Sequence, residues 1–304
     1  MTTPDVHVTL DELIALRRPA GRRVAPPAHP VTGLASGDGR SRARGRGIEF
    51  DEVRPYQAGD DIRAIDWRAS ARRGRTFTKL YSEERERTRF VVVDQRVGMF
   101  FGARHAFKSV AAARVAAWSC WSALARGDRV GGLVVGEDVV AVRARRTRQA
   151  VLALLHAVTE ANRTLSASAA EGVTTVRLLD DCLAHAGGGD DVVLISDFTD
   201  HDARLAPLLA AVARGRALSL IRISDPLEET LDVAATVGIS DGAHRRTLRI
   251  ERGRRTRYLA ERARRLERLE GDAAACGATL VHMSTGDEPG AASDDSFRPR
   301  ASGR

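Results

Sequence analysis

Two short runs of almost uninterrupted apolar residues, Arg89–Asp94 (RFVVVD) and Asp191–Ser196 (DVVLIS), constrain the fold of this chain more than anything else in it. A strand with one wet face alternates apolar and polar residues. A strand without alternation has to be covered on both faces. Helical patterns supply that cover. Ala103–Arg126 carries Phe107, Val110, Ala117, Trp118, Trp121 and Leu124 at helical spacing, with Gly127 as its stop. Thr147–Glu160 sets Val151, Leu154, Leu155 and Val158 on one face, Thr174–His185 reads as another helix, and Leu205, Leu208, Leu209 and Val212 mark a further one. Ala217–Ile223 and Thr279–Met283 read as strands on either side of a long charged helix through Tyr258–Ala275, and Val130–Val135 with Val139–Val142 reads as a hairpin. Strands alternating with helices predict an α/β fold, a doubly wound and mostly parallel Rossmann-like sheet. Ligands of such sheets bind beyond the carboxyl ends of the strands, where Asp94 and Asp197 stand here.

The flanks read differently. Residues 11–18 (DELIALRR) suggest a short helix, residues 21–46 an extended Pro/Gly/Ser/Arg-rich connector, and the segment from Gly286 a disordered end. The expected organisation is therefore 1–46 for the N-terminal helix and connector, 47–88 for a distinctive segment, 89–285 for the α/β domain and 286–304 for the tail. No apolar run reaches the roughly 18 residues that a membrane span needs, and the N-terminus lacks a basic-then-apolar secretory pattern. Cys120, Cys182 and Cys276 are scattered, as reduced thiols are. A cytoplasmic protein is expected. The net charge of +8 comes almost wholly from arginine, with lysine only at Lys79 and Lys108, and aromatics make up only 5%. Nucleic-acid binding through the Arg-rich 40–46 and 245–257 segments is thus a weaker alternative, since a stacking platform is poorly supplied.

The segment ahead of the first buried strand carries the most specific pattern. It holds Gly47, Glu49, Phe50, Arg54, Tyr56, Gly59, Asp60, Asp61, Arg63, Asp66 and Trp67, and closes on Ser70, Ala71 and Arg72. This spacing, G-x-EF…R-x-Y…GDD-x-R-x-IDW…SAR, resembles the signature of the bacterial "domain of unknown function 58" family. Met99 to Gly102, the ISDF stretch Ile195–Phe198 and the Ser284–Asp287 turn fit the same family, so the resemblance covers roughly residues 10–288.

The resemblance implies a von Willebrand factor A-like domain with a metal-ion-dependent adhesion site at the carboxyl edge of its sheet. It further implies a role as a non-enzymatic, protein-binding adaptor. The implied partner is a MoxR-type AAA+ ATPase, and the implied task is maturation or assembly of other proteins. The adhesion-site pattern, Asp-x-Ser-x-Ser plus a Thr and an Asp from later loops, maps onto Asp94, Thr174 (or Thr175) and Asp197. Arg96 and Gly98 stand where the two hydroxyls belong, so the site reads as degenerate. A guanidinium about 4 Å from a divalent ion costs roughly 8 kcal/mol at an effective dielectric near 20. Arg96 is thus expected to point away or to pair with Asp94 or Asp197. Mg²⁺ is a weak expectation and no other cofactor is expected. The chain has no Walker A sequence and Ser196 has no nucleophile elbow. His201 lies among Asp197, Asp200 and Asp202 and reads as a polar loop residue, with a metal ligand or base as the alternative.

The signature residues admit three readings: a hydrogen-bonded corner with Tyr56 and Trp67 packed, a docking surface, or a catalytic acid cluster. A metal-dependent enzyme using Asp94, Asp197 and the signature acids is the alternative function from a different class.

Overall fold

The computed structural model describes residues 4–23, 48–57, 62, 65–83, 87–166, 173–200, 202, 204–231, 236–240, 245–249 and 252–291. Thr9 and Glu12 open the first helix with a capping box, each side chain accepting from the other's backbone N–H, and α1 (Leu10–Ala15) follows. α2 (Arg17–Arg23) occupies positions expected to begin the connector. Residues 1–24 cluster with residues 87–304 as one unit, and residues 25–86 form another.

In the 25–86 unit, β1 (Ile48–Pro55) pairs antiparallel with β2 (Phe77–Glu83), with a register irregularity between Phe50 and Glu52. Between them in sequence lies α3 (Trp67–Arg73). Asp66 fixes its start, its carboxylate accepting from Arg68 N at 3.1 Å. The Ser70 hydroxyl ties α3 to β2, donating to Asp66 O at 2.7 Å and accepting from Phe77 N at 2.8 Å.

The larger unit is built on six strands. These are β3 (Thr88–Asp94), β4 (Arg129–Val135), β5 (Val139–Arg145), β6 (Asp191–Ser196), β7 (Ala217–Ser224) and, after two strands of a separate hairpin, β10 (Thr279–Ser284). The hairpin is β8 (Thr236–Ser240) with β9 (Arg245–Arg249). The sheet order is β10-β7-β6-β3-β4-β5; all neighbours are parallel except β4 and β5. Counted from its own first strand this is the doubly wound 3-2-1-4-5-6 order, with the third strand turned round at the edge. The expected mostly parallel sheet is what forms.

Alternation in β3 sends its apolar side chains both ways. Val91 and Val93 enter a core with α1, α4 (Lys108–Ala125) and α5 (Arg148–Thr164). Phe90 and Val92 enter the opposite core with α6 (Thr175–His185), α7 (Leu205–Ala213) and α9 (Arg252–Cys276). A short α8 (Pro226–Thr230) follows β7. The helix expected from Ala103 begins instead at Lys108. Ahead of it Ala106 forms an isolated parallel bridge with Asp5, with Asp5 N donating to His105 O at 3.1 Å and Phe107 N to Asp5 O at 2.9 Å. α5 outruns its expected end because Ala161 and Asn162 also pack inward. Of the expected tail, Pro289–Ala291 forms a 3₁₀ turn, and 292–304 lie outside the described residues, as do 24–46 of the connector and Gly47. No described helix is long and apolar enough to cross a membrane.

Candidate functional site at the carboxyl edge of the sheet

β3 and β6 run side by side where the strand order reverses, so their carboxyl ends flank the crevice in which such sheets bind ligands. Asp94 ends β3 with 1% exposure. Two residues on, Arg96 turns back over it, Nε donating to Oδ1 at 2.9 Å and Nη2 to Oδ2 at 2.7 Å. This is the bidentate fork that suits a guanidinium and a carboxylate. Arg96 also reaches the Val173 carbonyl, Asp200 Oδ2 and Thr175 Oγ1, each at 2.9 Å. Thr175 in turn donates to Asp200 through its hydroxyl and, at 2.8 Å, through its backbone N–H. From β6, the Ser196 hydroxyl donates to Asp94 Oδ2 at 2.6 Å. Burial acts to lower the Arg96 pKa, but Asp94 and Asp200 outweigh it and hold it above the ordinary arginine value. Burial acts to raise the Asp200 pKa, and Arg96 with the Thr175 bonds holds it below the usual carboxylate range.

A second internal cation fills the neighbouring acid. Lys108, 1% exposed, is the first residue of α4. Its ammonium donates to Asp197 Oδ2 at 2.7 Å and to Glu228 Oε1, on α8, at 2.8 Å. Burial and the positive end of the helix macrodipole both disfavour a cation there. Burial is the larger single influence on its pKa and pulls it down, yet the two carboxylates together raise it above the ordinary lysine value. The second oxygen of Asp197 accepts from Thr199 N at 3.2 Å and Thr199 Oγ1 at 3.0 Å. Between these residues Phe198 is buried at φ +52°, a left-handed backbone that non-glycine residues rarely adopt. Its N–H donates to Ser196 Oγ at 3.2 Å.

Gln95, between Asp94 and Arg96, links the edge to the rest of the unit. Its amide donates to Ser109 O at 2.9 Å and accepts from Asn162 Nδ2 at 3.0 Å, and Asn162 Oδ1 accepts from Val8 N at 2.8 Å.

These residues do not fit the metal that an adhesion site of this fold implies. A carboxylate has about four lone-pair positions. On Asp94 they meet Arg96 N, Nε and Nη2 and Ser196 Oγ. Among the described residues no group of three or more His, Cys, Asp and Glu side chains is arranged to hold a metal. Of the residues named from sequence, Asp94 and Asp197 are brought to one edge, but each is engaged by a different internal cation. Arg96 pairs with Asp94 and Asp200, not with Asp197. Thr174 stands outside the site, capping α6 by accepting from Arg177 N; it is Thr175 that enters. Lys108, Asp200, Glu228 and Gln95 were not anticipated. Only Lys108 left a trace in the sequence, as one of two lysines in an arginine-rich chain.

The signature residues divide. Gly59, Asp60, Asp61 and Arg63 lie outside the described residues, as does His201, and of Glu49, Phe50 and Arg54 the backbone in β1 is described. Tyr56 is half-buried and its N–H donates to Thr76 O at 2.8 Å. Asp66 serves α3 as above. Trp67, packed in one of the three readings, is 69% exposed, and Ile62 is 66% exposed. The exposed arginines Arg68, Arg72, Arg73 and Arg75 belong to the same stretch.

The strand order and this edge define a doubly wound, mostly parallel α/β protein whose strand-end acids are held by its own side chains. The chain belongs to the family described as "Protein of unknown function DUF58", whose sequence model matches residues 52–270. It is 27% identical over 261 residues to the uncharacterized protein Rv1480 of Mycobacterium tuberculosis, covering 84% of this chain and 80% of that one. Among solved structures it is similar to a conserved hypothetical protein BatB from Bacteroides thetaiotaomicron (12% identity, 69% of this chain and 97% of that chain, TM-score 0.41). It is also similar to a von Willebrand factor type A structure from Catenulispora acidiphila (14% identity, 73% and 42%, TM-score 0.37).

Proposed function

We propose that this chain acts by binding other proteins and catalyses no reaction of its own. Its partner in this reading is a MoxR-type AAA+ ATPase, for which it serves as an adaptor in the maturation or assembly of other proteins. One contrast carries the reading. At the crevice where an α/β enzyme would keep its reactive groups, Asp94, Asp197, Asp200 and Glu228 are taken up by Arg96 and Lys108, whereas the signature stretch turns Trp67 and Ile62 to solvent. An acid or base needs a free lone pair or a transferable proton within reach of substrate, and paired carboxylates under guanidinium and ammonium groups supply neither. An exposed tryptophan among arginines has the composition of a binding hot spot. The ATPase as partner rests on the resemblance of the signature.

Affinity capture of a MoxR-type AAA+ ATPase from the same organism, with and without ATP, tests the proposal. Binding is expected in at least one nucleotide state, weakened roughly tenfold or more by Trp67→Ala. Failure to bind in either state would sink the ATPase assignment. Undiminished binding by Trp67→Ala and Ile62→Ala would remove the signature stretch as the contact.

A further inference from the structure

Arg96 is saturated. A guanidinium has five N–H donors, and here they meet both oxygens of Asp94, one of Asp200, the Thr175 hydroxyl and the Val173 carbonyl. Asp94 is filled as well, by three groups of Arg96 and the Ser196 hydroxyl. A divalent ion could enter only by displacing the guanidinium, and a partner's carboxylate would find no N–H to accept from. The acceptors that Arg96 donates to come from three separate places: the end of β3, the start of α6 and the loop after β6.

We infer that Arg96 is a tethered cation standing in for a divalent metal, which clasps three loops and makes this edge independent of metal ions. A ligand therefore does not bind here by offering a carboxylate to the site's cation. The clasp does not depend on which partner the chain has, so its test and the capture experiment fail separately. Its chemistry also defines what removal exposes. Without the guanidinium, Asp94 and Asp200 face each other with the Ser196 and Thr175 hydroxyls nearby, a hard oxygen set suited to Mg²⁺ or Mn²⁺.

Thermal unfolding of the full-length, chelator-treated chain, with and without millimolar Mg²⁺ or Mn²⁺, is the test. The wild-type Tm is expected not to move with either ion. Arg96→Ser is expected to lower it by about 5–10 °C, since one side of a buried pair is lost. Millimolar Mn²⁺ should recover part of that loss, and should recover none of it in Arg96→Ser/Asp94→Asn. A wild-type Tm that rises with either ion overturns the inference, and so does an Arg96→Ser chain that folds but regains nothing. Should Arg96→Ser not fold, equilibrium dialysis of the wild-type chain against Mn²⁺ decides: one ion retained per chain overturns the inference, and none retained upholds it.

Discussion

Lys108 is a cation placed where both burial and helix polarity oppose it, at the first residue of α4 with 1% exposure. Only the two carboxylates facing it, Asp197 and Glu228, make that position tolerable. Removing the ammonium strips buried Asp197 of that counter-charge and leaves Glu228 to Arg262, whose Nη1 lies 3.6 Å from its other oxygen. Lys108→Met is therefore expected to cost about 3–5 kcal/mol, read as a lower urea midpoint at unchanged slope. The Asp197→Asn/Lys108→Met double variant should lose less than the sum of the single losses, because the pair is removed together. Nothing around Lys108 in the sequence foretold this. Its partners lie 89 and 120 positions away, and ion pairs over such separations exist only once the strands are in order.

The parallel pairing of β3 and β4 depends on a close approach that one residue permits. A Cβ at Gly132 would lie 1.9 Å from the Val91 carbonyl oxygen, so the strands would have to separate. Gly132→Ala is expected to destabilise by at least about 3 kcal/mol, above the usual range for an added methyl group, because the obstacle is backbone. Hydrogen exchange should show protection lost first in β4 and β5. Elements such as β3, β6 and α5 were legible because burial on two faces or along one stripe leaves a periodic trace. The β1–β2 pairing was not legible, because α3 and its flanking residues separate the two strands in sequence. The late start of α4 was also hidden, because Phe107 has helical spacing while its N–H is committed to Asp5.

Across the molecule, the N-terminal segment belongs to the α/β unit. Val8, Leu13 and Ala20 are buried in the same core as α4 and α5, and the Trp121 indole donates to Leu13 O at 2.9 Å. Through Asn162 and Gln95 the same segment supports the loop that carries Arg96. A chain beginning after Arg23 loses the burial of Val8 and Leu13, about 1.5–3 kcal/mol each, and orphans a buried indole N–H at about 1–3 kcal/mol. That sum approaches the whole stability of an ordinary domain. Such a chain is expected to lose its near-ultraviolet circular dichroism at temperatures where the full chain keeps it.

By itself the sequence determined the family, through the Gly47–Trp67 signature, and the doubly wound sheet, through its buried strand runs. Both are local or periodic patterns that do not depend on what lies opposite. It also placed Arg96 and Gly98 two and four positions after the strand-end Asp94. The tertiary structure alone decided where the charges go: Arg96 to Asp94 and Asp200, Lys108 to Asp197 and Glu228, Thr175 rather than Thr174 into the site, Trp67 out to solvent. Charge pairing across a sheet edge is set by which strand ends become neighbours, and no spacing within one segment encodes that.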